Sequence, residues 1–81
     1  MFVLDLPEPV APAWARLQRV GEGRWRLSHG SGLVIGHLSV RATDSGWRFA
    51  AERFDARARA FRRVGEFWSS DEALECLRLS R

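Results

Sequence analysis

The run Ser69-Ser70-Asp71-Glu72, between Gly65-Glu66-Phe67-Trp68 and Ala73-Leu74, constrains the fold more than any other stretch of this chain. A serine hydroxyl at a helix start accepts from the backbone N–H three residues on. A glutamate at that third position reaches back to the serine's own N–H, so two orphan donors are satisfied at once. Ser69 and Glu72 have this spacing. The segment therefore ends an extended stretch and opens a helix over about 71–79, in a capped unit 69–79 that buries Ala73, Leu74 and Leu77.

Upstream of that junction the periods are mostly those of strands. Phe2-Val3-Leu4 is a short strand, followed by a connector in which Pro7, Pro9 and Pro12 exclude regular helix and central strand, so 1–12 is an extended segment. Trp14, Leu17 and Val20 lie three apart, and that spacing predicts a short helix over 13–20 started by Pro12. Arg24 to Ser28 alternates polar and apolar, His29-Gly30-Ser31-Gly32 supplies turn residues, and Leu33 to Val40 is strongly apolar, which together predict a β-hairpin. Gly36 inside its second strand marks a bulge or a close backbone approach. Beyond the Asp44-Ser45-Gly46 turn, residues 47–64 fit two patterns. Ala50, Phe54, Ala58, Phe61 and Val64 make one helical stripe with Gly65 as its stop. A Gly-Trp after a turn and the Ala/Arg alternation over 56–60 favour a second hairpin turning near Asp55, so 24–64 is assigned as mainly β.

Eighty-one residues make one small domain, and 46% apolar content with four tryptophans supplies a core without metal or disulfide. Cys76 is the single cysteine, so no intrachain disulfide forms, and on the apolar side of the last helix it is a small core side chain. No apolar run approaches membrane-spanning length and no basic leader precedes one, so a cytoplasmic protein without membrane partners is expected.

All 13 basic residues are arginine, and lysine, asparagine and tyrosine are absent. That bias follows a G/C-rich genome, which points to a bacterial source. The distribution of charge carries more. Residues 14–63 hold eleven arginines against four acids, a net of +7, while the segments on either side are each at −2. A basic middle between acidic ends suits a polyanion-facing surface, and equally a solvated face of arginine stems over apolar neighbours.

Catalytic chemistry finds little footing. His29 falls in a turn and His37 in the apolar strand, with no cysteine or carboxylate cluster to make a metal site, and no acid–base pair or triad is grouped in sequence. The chain is expected to be no enzyme and to carry no cofactor. His29-Gly30-Ser31-Gly32 has the composition of a phosphate-binding turn, but no helix follows it. Arginine–tryptophan interleaving remains: Arg24-Trp25-Arg26 and Trp47-Arg48. On strands these alternate, so tryptophans enter the core while arginines form a row on the solvent side. Arg24, Arg26, Arg41, Arg48, Arg59 and Arg63 are the candidate nucleic-acid contacts.

Residues 39–79 also resemble the ethylene-response-factor type of DNA-binding domain. The likeness rests on Val40-Arg41, Gly46-Trp47, Ala50-Ala51-Glu52, Arg62 to Phe67 and Ser70-Asp71-Glu72-Ala73. It implies a three-stranded sheet on one helix, with sheet residues Arg41, Trp47, Arg53 and Arg63 in the major groove. The Trp-to-Glu spacing is longer here than in that family. The expected fold is α+β: an antiparallel sheet of three to five strands with one C-terminal helix on it, a small Sm-like β-barrel being the alternative. The expected function is a non-catalytic module binding RNA or DNA through an Arg-rich sheet surface. The alternative is a protein-interaction or self-associating module with an exposed Trp/Phe patch.

Overall fold

The computed structural model describes residues 7–80. These form β1 (Ala15–Gly21), β2 (Arg24–His29), β3 (Val34–Thr43), β4 (Gly46–Asp55), β5 (Ala60–Phe67) and α1 (Ser70–Leu79). The strands lie side by side in chain order, each antiparallel to the next. Local chemistry makes the turns tight. Thr43 donates its hydroxyl to the Gly46 carbonyl at 2.6 Å and accepts from the Ser45 N–H at 3.2 Å, and Gly46 takes a φ of +124°. At the β4–β5 turn the Asp55 carboxylate accepts from the N–H groups of Arg57 at 3.0 Å and Ala58 at 3.3 Å.

The sheet has one apolar face, and α1 covers it. Register places Leu17, Leu27, Gly36 and Arg53 in one row, Trp25, Leu38, Ala51 and Gly65 in the next, and Val40, Phe49 and Phe67 beyond. Ala15, Leu27, Leu38, Phe49 and Ala51 from this face close on Ala73, Leu74 and Leu77 of α1, flanked by Trp14, Ile35 and Trp47. Leu27, Leu38 and Leu77 are almost wholly excluded from water, each contributing roughly 1.5–3 kcal/mol of transfer free energy. An apolar sheet face can be buried by closing the sheet on itself or by a helix. Here the helix does it, and among the described residues the sheet is open, with β1 and β5 at its edges, not closed into the barrel of the Sm-like alternative.

Gly36 is a close-approach position, as its place in an apolar strand suggested. A Cβ there would overlap the Glu52 carbonyl oxygen and sit 3.2 Å from the Arg53 Cα. The β2–β3 register also slips beside it, between Leu27 and Ser28. The α1 cap forms with one change of detail. Ser69 Oγ accepts from the Glu72 N–H at 3.2 Å, but the Glu72 carboxylate accepts from the Ser69 hydroxyl at 3.1 Å. Ala73, Leu74 and Leu77 are buried as predicted.

Two local expectations are corrected. Residues 13–20 hold no helix; β1 pairs with β2 from Ala15↔His29 to Arg19↔Trp25. The three-residue spacing of Trp14, Leu17 and Val20 is coincidental, because Ala15 and Leu17 are the inward pair and Val20 is 39% exposed. The Ala/Arg alternation over 56–60 is mostly turn, not strand, since the Asp55 carboxylate captures the backbone and Arg59 takes a φ of +52°. The strand expected at 2–4 lies outside the described residues. Residues 7–12 carry neither helix nor strand pairing.

Candidate nucleic-acid interface

Alternation along the strands assigns the second sheet face, over which no described element lies. Arg24 stands opposite Ser39, which stands opposite Ala50, and Ala50 opposite Glu66. The neighbouring row runs Gln18, Arg26, His37, Glu52 and Arg63. Arg41 faces Arg48, Phe54 faces Phe61, and Arg16 faces Ser28. Directly opposed residues share a face. Six arginines (16, 24, 26, 41, 48 and 63) therefore occupy one surface with two glutamates, a net of +4. Of the six residues nominated from sequence, Arg24, Arg26, Arg41, Arg48 and Arg63 are brought together, and Arg59 sits apart in the β4–β5 turn. Of the four contacts implied by the ethylene-response-factor resemblance, Arg41 and Arg63 are on this face. Trp47 and Arg53 are on the helix-covered one.

The acids on the surface are already engaged. Glu66 accepts from Arg41 at 3.1 and 2.9 Å and lies 3.9 Å from Arg63. The Arg41 hydrogen bond is the main reason its carboxyl titrates below its ordinary range. Glu52 is 3.8 Å from Arg24. Arg16, Arg26 and Arg48 have no carboxylate within 4 Å among the described residues.

The centre of the face is short of hydrogen-bond partners. Four buried polar atoms lack one among the described residues: Arg26 Nε, His37 Nε2, Ser39 Oγ and Arg48 Nε, and all four belong to this surface. His37 is 7% exposed, and its ring stacks on Phe61 with centroids 3.8 Å apart. Burial first, then the charges of Arg24 and Arg26, push its pKa below the ordinary value, against the pull of Glu52. Its imidazole is therefore neutral at neutral pH. Arg26 Nε and Arg48 Nε are donors, and Ser39 Oγ can donate or accept.

Aromatic side chains border the arginines. Phe54 tilts against Phe61 with centroids 5.2 Å apart. Trp68, directly after β5, lies under the Arg48 guanidinium at 4.2 Å and is 55% exposed. Sequence reasoning missed Arg16, because 13–20 was assigned to a helix. It missed Trp68 too, although strand alternation carried through Glu66 and Phe67 places residue 68 on the arginine side.

Off the face, Arg62 pairs with Asp55, Arg78 with Glu75, and Arg57 and Arg59 lie in the β4–β5 turn. At the far end of β4 and β5 a cleft gathers Arg53, Arg57, Arg62 and Ser80 around Asp55, Arg53 donating to Ser80 at 3.0 Å. The opposite side of the molecule mixes signs, with Asp71, Glu72 and Glu75 on α1, Arg78 bound to Glu75, and Arg19, Arg53 and Arg62 on the helix-covered face of the sheet. Among the described residues no three His, Cys, Asp or Glu side chains group as metal ligands, and no helix is long and apolar enough to cross a membrane. No family model, no curated protein and no solved structure matches this chain.

Proposed function

We propose that this chain is a small non-catalytic module that binds nucleic acid through the arginine face of its sheet. The observation that carries the reading is the register: six arginines and two glutamates fall on the one face that α1 leaves bare, while the acids of α1 lie on the other side. Guanidinium groups are planar, permanently charged donors suited to phosphate oxygens. A face with a net charge of +4 also steers a polyanion to itself.

Salt-titrated binding to a labelled oligonucleotide tests this. A net of four neutralised phosphates gives a slope of log K on log salt of roughly −3. Exchanging Arg24 and Arg26 for glutamine lowers the magnitude of that slope by about 1.5. Exchanging Arg19 and Arg78, which lie off the face, for glutamine changes overall charge equally and leaves the slope nearly as it was. Binding that ignores salt, or no binding at low salt, sinks the proposal. An oligomer that forms through this face would instead favour a self-associating module.

A further inference from the structure

We infer that the preferred ligand is a single strand, with a base stacked on Trp68; this rests on the proposed nucleic-acid reading. Trp68 is unlike the chain's other tryptophans. Trp25 is buried at 7% exposure and Trp14 and Trp47 are half-buried against the core, whereas Trp68 keeps 55% of its surface in water. It is also held in place. The Arg48 guanidinium covers it at 4.2 Å, a cation–π contact that fixes the indole and leaves the rest of the ring open. Arg48 is one of the arginines without a carboxylate, and its neighbour across β3 and β4 is Arg41. A base on the open side of Trp68 therefore has guanidinium groups within reach of its own phosphates.

A duplex hides its base faces inside the stack, so an exposed ring beside a flat basic surface gives it no advantage. A single strand offers both features, phosphates for the arginines and a π-face for the indole. The surface has room for more than one nucleotide. From Arg48 to Phe54 along β4 is about 20 Å at the rise of a strand, and the half-buried Phe54–Phe61 pair closes that far end. Charge complementarity favours nucleic acid over an apolar protein partner, because the Arg48 guanidinium lies on the ring and Arg41 stands opposite Arg48.

The experiment measures affinity for an oligothymidylate, an abasic strand of the same length and a duplex with the same number of phosphates, in wild type, Trp68→Ala and Trp68→Phe. The expected order is thymidylate tightest. Trp68→Ala weakens thymidylate binding by roughly five- to a hundredfold, with the salt slope unchanged because no charge is lost. Trp68→Phe restores most of it, and abasic-strand and duplex affinities do not respond to either variant. The abasic comparison needs no variant, so a folding defect cannot mimic the result. Equal thymidylate binding by wild type and Trp68→Ala, or a preference for duplex, overturns the inference and leaves the nucleic-acid reading standing. Absence of binding to all three overturns both. A Trp68-dependent dimer in sedimentation, with thymidylate affinity unmoved by the substitution, also overturns it.

Discussion

Glu66→Gln is expected to tighten nucleic-acid binding, the opposite of what loss of a charged surface residue usually does. Glu66 holds Arg41 through two hydrogen bonds and stands 3.9 Å from Arg63, so one carboxylate restrains two of the six arginines on the face. Glutamine keeps the shape and an acceptor oxygen for Arg41 but removes the charge, and the face goes from a net of +4 to +5. One further neutralised phosphate adds about 0.7 to the salt slope on a single strand and 0.9 on a duplex. Extrapolated from 1 M, that is a gain of roughly five- to eightfold at 0.1 M salt, shrinking to nothing near 1 M. Anisotropy titrations of both proteins over a range of salt, with circular dichroism to confirm equal folding, read this directly. Lowering the pH does not reproduce the variant above about pH 4.5, because Arg41 holds the Glu66 carboxyl below that ordinary value. Parallel salt lines with equal affinity, or weaker binding by Glu66→Gln, would mean that the ligand does not meet these arginines.

Three further outcomes concern the fold. Gly36→Ala drives a methyl group into the Glu52 carbonyl and should cost at least 1–3 kcal/mol (roughly, by the scale of overpacked interiors), read by urea denaturation; a neutral result contradicts the close approach of β3 and β4. Ser69→Ala removes the acceptor for the Glu72 N–H and should cost about 1 kcal/mol, whereas Ser70→Ala, one residue into the helix, should cost much less. His37 titrates below its ordinary 6.5 in the folded state, so the unfolded chain binds more protons in the window beneath that value and stability falls as pH drops through it. Melting temperatures should show that decline in wild type and not in His37→Gln; Glu66 and Glu75 add their own loss only lower, beneath about 4.5.

How legible these features were depended on whether the deciding interaction was local. The α1 start was legible because Ser69 and Glu72 settle it between themselves, and its buried side follows from the helical period. The β2–β3 hairpin was legible because both strands and their glycine turn lie within one short window. Residues 13–20 were not: Trp14, Leu17 and Val20 satisfy a helical period, and only the pairing of β1 with β2 makes Ala15 and Leu17 the inward residues. The turn near Asp55 was legible, but the start of β5 was placed too early. Alternation over 56–60 favours a strand, but Asp55 takes two backbone N–H groups and turns the chain there. For the candidate surface, alternation alone predicted that arginines and tryptophans would part to opposite faces, and Arg24, Arg26 and Trp25 do so. Which rows adjoin depends on five-strand register and on slips at Leu27/Ser28 and Ala51/Glu52, which no local pattern encodes.

A meander of five strands with one helix must leave a sheet face bare, and arginines are good cover for it because their stems shield apolar backbone neighbours while their heads stay wet. A surface selected only for solubility mixes signs, since like charges side by side repel. The open face carries six arginines against two glutamates, whereas Asp71, Glu72 and Glu75 of α1 share the other side with Arg19, Arg53, Arg62 and Arg78. The open face even sets Arg41 directly opposite Arg48, a pairing that destabilises a sheet. The two guanidinium groups are then turned to different partners, Arg41 to Glu66 and Arg48 to the ring of Trp68. Glu66 and Trp68 thus hold apart two charges that would otherwise compete, each in a way that a ligand can take over: phosphate in place of the Glu66 carboxylate, and a base added to the free side of the indole. These contacts relieve the Arg41–Arg48 repulsion in the free protein, and on the proposed reading they are the partners that a phosphate and a base would exchange with or extend.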